Sequence, residues 1–133
     1  MTITVVRDQS APMKHVVHVR QHSFAVDEPA SNGGEDAGPD PHDVYDAALV
    51  ACKALTVLWY AKRKGMPVEG IEVAVTRDAG ADHPGVYRLR TELSLGGALS
   101  DVQRRELLSV AAKCPIHKLM TQMTTEIETV LKN

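Results

Sequence analysis

GPDPHDVYDAALVACKALTVLWYAKRKGMPVEGIEV, residues 38–73, decides the fold. Asp40 is placed to cap a helix, with Pro41 at the first helical position, where its fixed φ helps and its missing N–H costs nothing. Asp43 sets an acid at the positive end of the helix dipole, and Lys62, Arg63 and Lys64 set cations at the negative end. Gly65 suits the left-handed residue that ends a helix, and Pro67 bars continuation. The pattern predicts one helix from just after Pro41 to Lys64. Within it, Val44–Ala61 is apolar on nearly every face, so something must cover every side. That stretch is about as long as a membrane span, but Asp46, Lys53 and the many alanines favour the buried helix of a soluble protein.

Toward the N-terminus, DEPASNGGEDAGPDP (Asp27–Pro41) holds three prolines and three glycines and reads as a long loop, a kind often used for function. Before it, Thr2–Arg7, Val16–Arg20 and Ser23–Asp27 are valine-rich or alternating and read as strands. Toward the C-terminus, Gly70–Arg77 and Val86–Leu95 alternate as strands, separated by a turn signal at His83–Gly85. Ser100 opens a second helix through about Lys113, Cys114-Pro115 breaks it, and a short helix over Ile116–Met120 follows. Thr124–Leu131 reads as a last strand, with a continued helix as the other option. One sheet of about six strands covers only one face of the long helix, and a second copy of the chain is the simplest cover for the rest.

The 133 residues fit one domain able to bury a core without disulfides. A net charge of −2, with acids and bases interspersed, gives no electrostatic draw toward nucleic acid or an anionic membrane. The opening residues lack the basic and then apolar pattern of a secretory signal, so the chain reads as cytoplasmic. In that compartment its two cysteines, Cys52 and Cys114, are expected to be free, metal-bound or redox-active rather than a structural staple.

Each cysteine has an ordinary reading. Cys52, in an alanine- and leucine-rich helix, can be a small buried hydrophobe. Cys114 stands before Pro115 at a helix break. If Pro115 opens a new helix, Cys114 is its N-cap, where free amides and the dipole favour a thiolate. Cys114-x-x-His117 is half of a zinc ligand set, but no second matching pair is present. There is no G-x-S-x-G elbow, dinucleotide fingerprint or phosphate loop.

Residues 38–73 resemble the G-x-x-P-x-E-L-L-x-A-A-L-x-A-C helix of OsmC/Ohr-like proteins, and AAKCPIHKLM, residues 111–120, resembles that family's second signature. The resemblance runs from about Asp27 to Leu131. It implies an α+β fold in an intertwined homodimer, with sites at the subunit interface. In the characterised branches it implies a thiol peroxidase acting on organic hydroperoxides, with a small apolar hydroperoxide as substrate. Cys52 would be the peroxidatic thiol and Cys114 the resolving one. A dithiol such as a lipoyl group would regenerate the enzyme, with no metal or flavin needed.

The match departs from the family at the activating groups. Attack on a peroxide needs a thiolate, and a free thiol is only a few per cent ionised near neutral pH. The characterised peroxidases supply an arginine held by a glutamate that directly follows the helix-starting proline. Here that position is His42, beside Asp43. Between Arg20 and Arg63 there is no arginine, so Arg20 and Arg7 are the N-terminal candidates. His42 reads as exposed or as an acid–base substitute, Asp43 as a dipole acid, and His117 as surface or interface. Lys53 points roughly 100° around the helix from Cys52 and reads as a poor activator. The leading reading is a thiol-dependent hydroperoxide reductase. The rival is a small-molecule-binding or redox-sensing dimer without turnover, and a cation within reach of Cys52 separates the two.

Overall fold

A computed structural model describes residues 1–78 and 85–133. The chain forms two compact units, residues 1–47 and 48–133. The first holds three strands, β1 (Ile3–Arg7), β2 (His15–Val19) and β3 (His22–Val26), then a short 3-10 turn at Ala30–Asn32. The long helix α1 (Pro41–Lys64) begins in it and continues into the second unit, which adds β4 (Gly70–Arg77), β5 (Leu89–Gly96), α2 (Asp101–Ala111) and α3 (Pro115–Gln122).

In the first unit β1, β2 and β3 form an antiparallel meander in that order. Arg20 and Gln21 make the tight β2–β3 turn between the paired residues Val19 and His22, and Arg20 takes φ 53° there. The loop that follows is ordered around one side chain. Asp27 is buried, and its carboxylate accepts backbone N–H bonds from Glu28 (2.8 Å), Glu35 (3.2 Å) and Ala37 (3.1 Å). The chain folds so tightly here that a Cβ on Gly34 would stand 1.9 Å from the Glu28 carbonyl oxygen. The amide of Ala37, ahead of the cost of burial, holds the Asp27 carboxyl below the usual aspartate range, aided by the amides of Glu28 and Glu35 and by Lys14. A depressed carboxyl stabilises the fold above its unfolded pKa, and that contribution is lost as pH falls through the folded value. Acidification below the usual aspartate range is therefore expected to loosen this loop first. Hydrogen exchange at Glu35 and Ala37 checks it: Asp27→Ala should expose both amides at neutral pH, and unchanged protection would refute the assignment.

Asp40 and Asp43 cap α1 reciprocally: Asp43 N donates to Asp40 Oδ1 (2.9 Å) and Asp40 N to Asp43 Oδ2 (3.1 Å). By length and composition α1 could cross a membrane. One side of it is buried, with Leu49, Val57, Ala61 and even Lys53 out of solvent, while Leu55 and Trp59 are exposed.

In the second unit β4 and β5 pair antiparallel, with Ile71 opposite Leu95 and Val73 opposite Leu93. Those positions turn inward and alternate with exposed Glu72 and Glu92. Val57 and Ala61 of α1 and Leu107 and Ala111 of α2 form the buried core, flanked by Ile71, Leu93 and Leu95. α2 starts with a full capping box between Ser100 and Gln103.

Two expectations are corrected. The strands do not make one sheet of six; the described residues hold five, in sheets of three and two. The expected strand Thr124–Leu131 has no regular structure, and Ile127, Val130 and Leu131 are 82, 75 and 86% exposed. A strand needs a neighbour to take its backbone hydrogen bonds, and alternation alone does not provide one. The turn signal at His83–Gly85 lies, but for Gly85, outside the described residues.

Candidate active site

Cys52 sits mid-helix in α1, and Cys114 is the N-cap of α3, with Pro115 at the first helical position as anticipated. The α3 N-terminus draws both sulfurs to adjacent amides. Ile116 N donates to Cys52 Sγ at 3.5 Å, and His117 N donates to Cys114 Sγ at 3.4 Å. Cys52 is also among the groups that act on the Cys114 thiol. Residues 62 apart in sequence thus share one helix end, where unpaired N–H groups and the positive dipole favour negative charge on sulfur. Thr56 Oγ1 stands 3.9 Å from Cys52 Sγ, one turn along α1.

The two sulfurs differ in access. Cys52 is half-buried and Cys114 is fully buried. Burial, more than any other influence, pushes the Cys114 thiol up, and the neighbouring Cys52 adds to this. The His117 amide and the charge of Lys53 oppose it. Desolvation thus opposes the Cys114 thiolate that the amides of the N-cap favour.

The residues that the sequence argument undervalued are Lys53 and His117. Lys53 reaches the junction of α2 and α3, next to the α3 amide that meets Cys52. Its buried Nζ donates to the Ala111 carbonyl at 2.8 Å and to His117 Nδ1 at 2.9 Å. An ammonium can only donate, so Nδ1 accepts and the ring proton sits on Nε2. Burial first, and then the Lys53 charge, push the His117 pKa down, which keeps the ring neutral. His117 is half-buried, and its Nδ1 is committed to lysine. Ala111 O is one of the carbonyls that a helix end leaves without a partner, and Lys53 satisfies it. The signal for this was present: a lysine inside an apolar run must find acceptors or be excluded from the core.

Arg20, His42 and Asp43 belong to the N-terminal unit. Arg20 is exposed in the β2–β3 turn, His42 is exposed in the first turn of α1, and Asp43 serves the α1 cap. Arg7 ends β1, exposed, opposite His15. Among the described residues no group of three or more His, Cys, Asp or Glu side chains is placed to hold a metal ion.

The family described as OsmC-like protein matches residues 33–130. No curated protein matches the chain. Solved structures share the fold at low identity. An OsmC-like protein from Mycoplasma pneumoniae has a TM-score of 0.72 at 20% identity, covering 91% of this chain and 86% of that one. The organic hydroperoxide resistance protein OsmC of Legionella pneumophila gives 0.64 at 16%, covering 91% and 88%. The organic hydroperoxide resistance protein OhrB of Bacillus subtilis gives 0.58 at 19%, covering 91% and 90%.

Proposed function

Since this chain belongs to the OsmC-like protein family, we propose that it is a thiol-dependent peroxidase of organic hydroperoxides, working through Cys52 and Cys114. The observation that carries the reading is the convergence of both sulfurs on the amides of Ile116 and His117. A pair so placed can exchange between dithiol and disulfide after small side-chain movement. The difference in access supports the assignment of roles: the half-buried Cys52 meets the peroxide, and the buried Cys114 waits for it.

In this mechanism the Cys52 thiolate attacks the terminal peroxide oxygen. An S–O bond forms, the O–O bond breaks, and the alkoxide takes a proton and leaves as an alcohol. Cys52 is now a sulfenic acid. The Cys114 sulfur, having lost its proton, attacks Cys52 sulfur. The S–S bond forms, the S–O bond breaks, and hydroxide takes a proton and leaves as water. A dithiol then reduces the disulfide and is itself oxidised.

The working unit in this reading is a cytoplasmic homodimer. Large apolar side chains face outward on both units, among them Val5, Val6, Leu55, Trp59, Ile127 and Leu131, all more than half exposed. So much exposed apolar surface supports a second copy as its cover.

Mild treatment with cumene hydroperoxide tests the chemistry. An intramolecular Cys52–Cys114 disulfide is the expected product by mass spectrometry. Overoxidation of Cys52 with Cys114 still free would end the resolving role, and no reaction at either sulfur would leave the redox-silent binding dimer as the better reading.

A further inference from the structure

Lys53 has a place in the site that its family resemblance does not assign. It is 3% exposed, deep in the second unit, where Val57, Leu107 and Ala111 build the core. A charged ammonium there must be compensated, and two of its three protons go to Ala111 O and His117 Nδ1. Both acceptors are neutral, so neither bond cancels the charge of the ammonium. Lys53 Nζ bonds to residues three positions before and three after Cys114, and among the described groups that act on the Cys114 thiol, Cys52, His117 and Lys53, it is the cation. The Ala111 carbonyl and the Cys114 cap bracket the bend between α2 and α3, so the bonds that hold Lys53 also fix the distance from its charge to that sulfur.

We infer that Lys53 is a positioning residue of the thiol pair, its buried ammonium stabilising negative charge on the Cys114 sulfur whenever that sulfur attacks or is released. The role in turnover rests on the peroxidase reading, whereas the electrostatic link does not. Charge develops on this sulfur twice. In resolution Cys114 gives its proton to solvent and its sulfur attacks Cys52. In reduction one thiolate of a small dithiol attacks the more accessible Cys52 sulfur, the S–S bond breaks, and Cys114 departs with the electron pair before taking up a proton. The second dithiol sulfur then displaces Cys52 and closes the reductant's own disulfide. A buried sulfur would be a poor leaving group without a nearby cation, because the leaving thiol's pKa sets how fast it departs.

Three proteins test this: wild type, Lys53→Gln, which keeps an N–H donor for Ala111 but loses the charge, and Lys53→Arg, which keeps the charge. In Cys52→Ser backgrounds, the thiolate absorbance of Cys114 is followed against pH. With Cys52 present, the opening of the Cys52–Cys114 disulfide by dithiothreitol is timed by stopped flow. Lys53→Gln should move the thiolate curve to higher pH and slow the opening about tenfold, and Lys53→Arg should restore most of both. A folded Lys53→Gln protein with an unmoved curve and an opening rate within about twofold of wild type would overturn the inference. If Lys53→Gln does not fold, the Cys52→Ser protein labelled with nitrogen-15 lysine decides: the Lys53 signal must shift as Cys114 titrates, and a stationary signal overturns the proposal. None of these measurements uses a peroxide, so the outcome is independent of whether the protein turns hydroperoxides over.

Discussion

Cys52→Ser is expected to reduce cumene hydroperoxide consumption in the presence of dihydrolipoamide to the uncatalysed background, a loss of roughly three orders of magnitude or more. The size follows from the chemistry: a serine hydroxyl is not ionised near neutral pH, and without the sulfur no sulfenic acid forms. Cys114→Ser behaves differently. Cys52 remains half-buried and still receives the Ile116 N–H, so a first turnover of about one peroxide per protomer proceeds. The sulfenic acid then lacks its resolving partner, and steady-state consumption falls while the burst survives. Rapid mixing with an excess of peroxide separates the two variants. Equal bursts in both would mean that Cys52 is not the attacking sulfur, and persistence of turnover in Cys52→Ser would remove the thiol mechanism altogether.

The second large effect concerns assembly. Leu55 and Trp59 lie one turn apart on α1 and are 70% and 60% exposed. An acid placed at such an exposed site of a monomer changes stability by only about 0.5 kcal/mol. At a contact between copies the same acid is buried without a partner, at a cost of about 3–5 kcal/mol, or a rise in dissociation constant of roughly a hundredfold to several thousandfold. Wild-type protein should sediment as a dimer at micromolar concentration, and Leu55→Asp should shift toward monomer while keeping its helical circular dichroism. A wild-type monomer at tens of micromolar, or a Leu55→Asp dimer of unchanged affinity, would show that this face is not the contact.

The elements whose local chemistry is self-sufficient were readable before the structure. α1 carries its own start at Asp40-Pro41 and its own stop at Gly65, and both ends fall where those residues place them. The capping box of α2 and the role of Cys114 as N-cap are equally local. What could not be read depends on contacts between distant segments. Thr124–Leu131 alternates like a strand, yet whether it becomes one depends on a partner edge that its own residues do not encode. The burial of Cys114 and the path of Lys53 to Ala111 and His117 are both set by α2 and α3 packing against α1. Angular position on α1 separates the Cα–Cβ directions of Lys53 and Cys52, but it does not show that α3 receives both side chains. Arg20, His42 and Asp43 were singled out because they stand near where a family pattern expects an activating pair, and two of them now have local explanations in a turn and a helix cap.

The strand pairing of this chain has a bearing on the order in which it folds. Among the described residues each strand bonds to its neighbours in sequence, so the sheets close short loops at small entropic cost. The bonds that build the thiol site join residues much further apart: Lys53 to Ala111 spans 58 positions, and Ile116 to Cys52 spans 64. By the same reckoning of loop entropy, hairpins and helices precede those contacts, and the sulfurs meet their amides among the last events. During synthesis Cys52 is made well before the segment that receives it exists. The incomplete chain therefore carries an isolated thiol without Cys114 or the Ile116 amide beside it, so on the proposed mechanism reactivity awaits the completion of folding rather than the appearance of the cysteine.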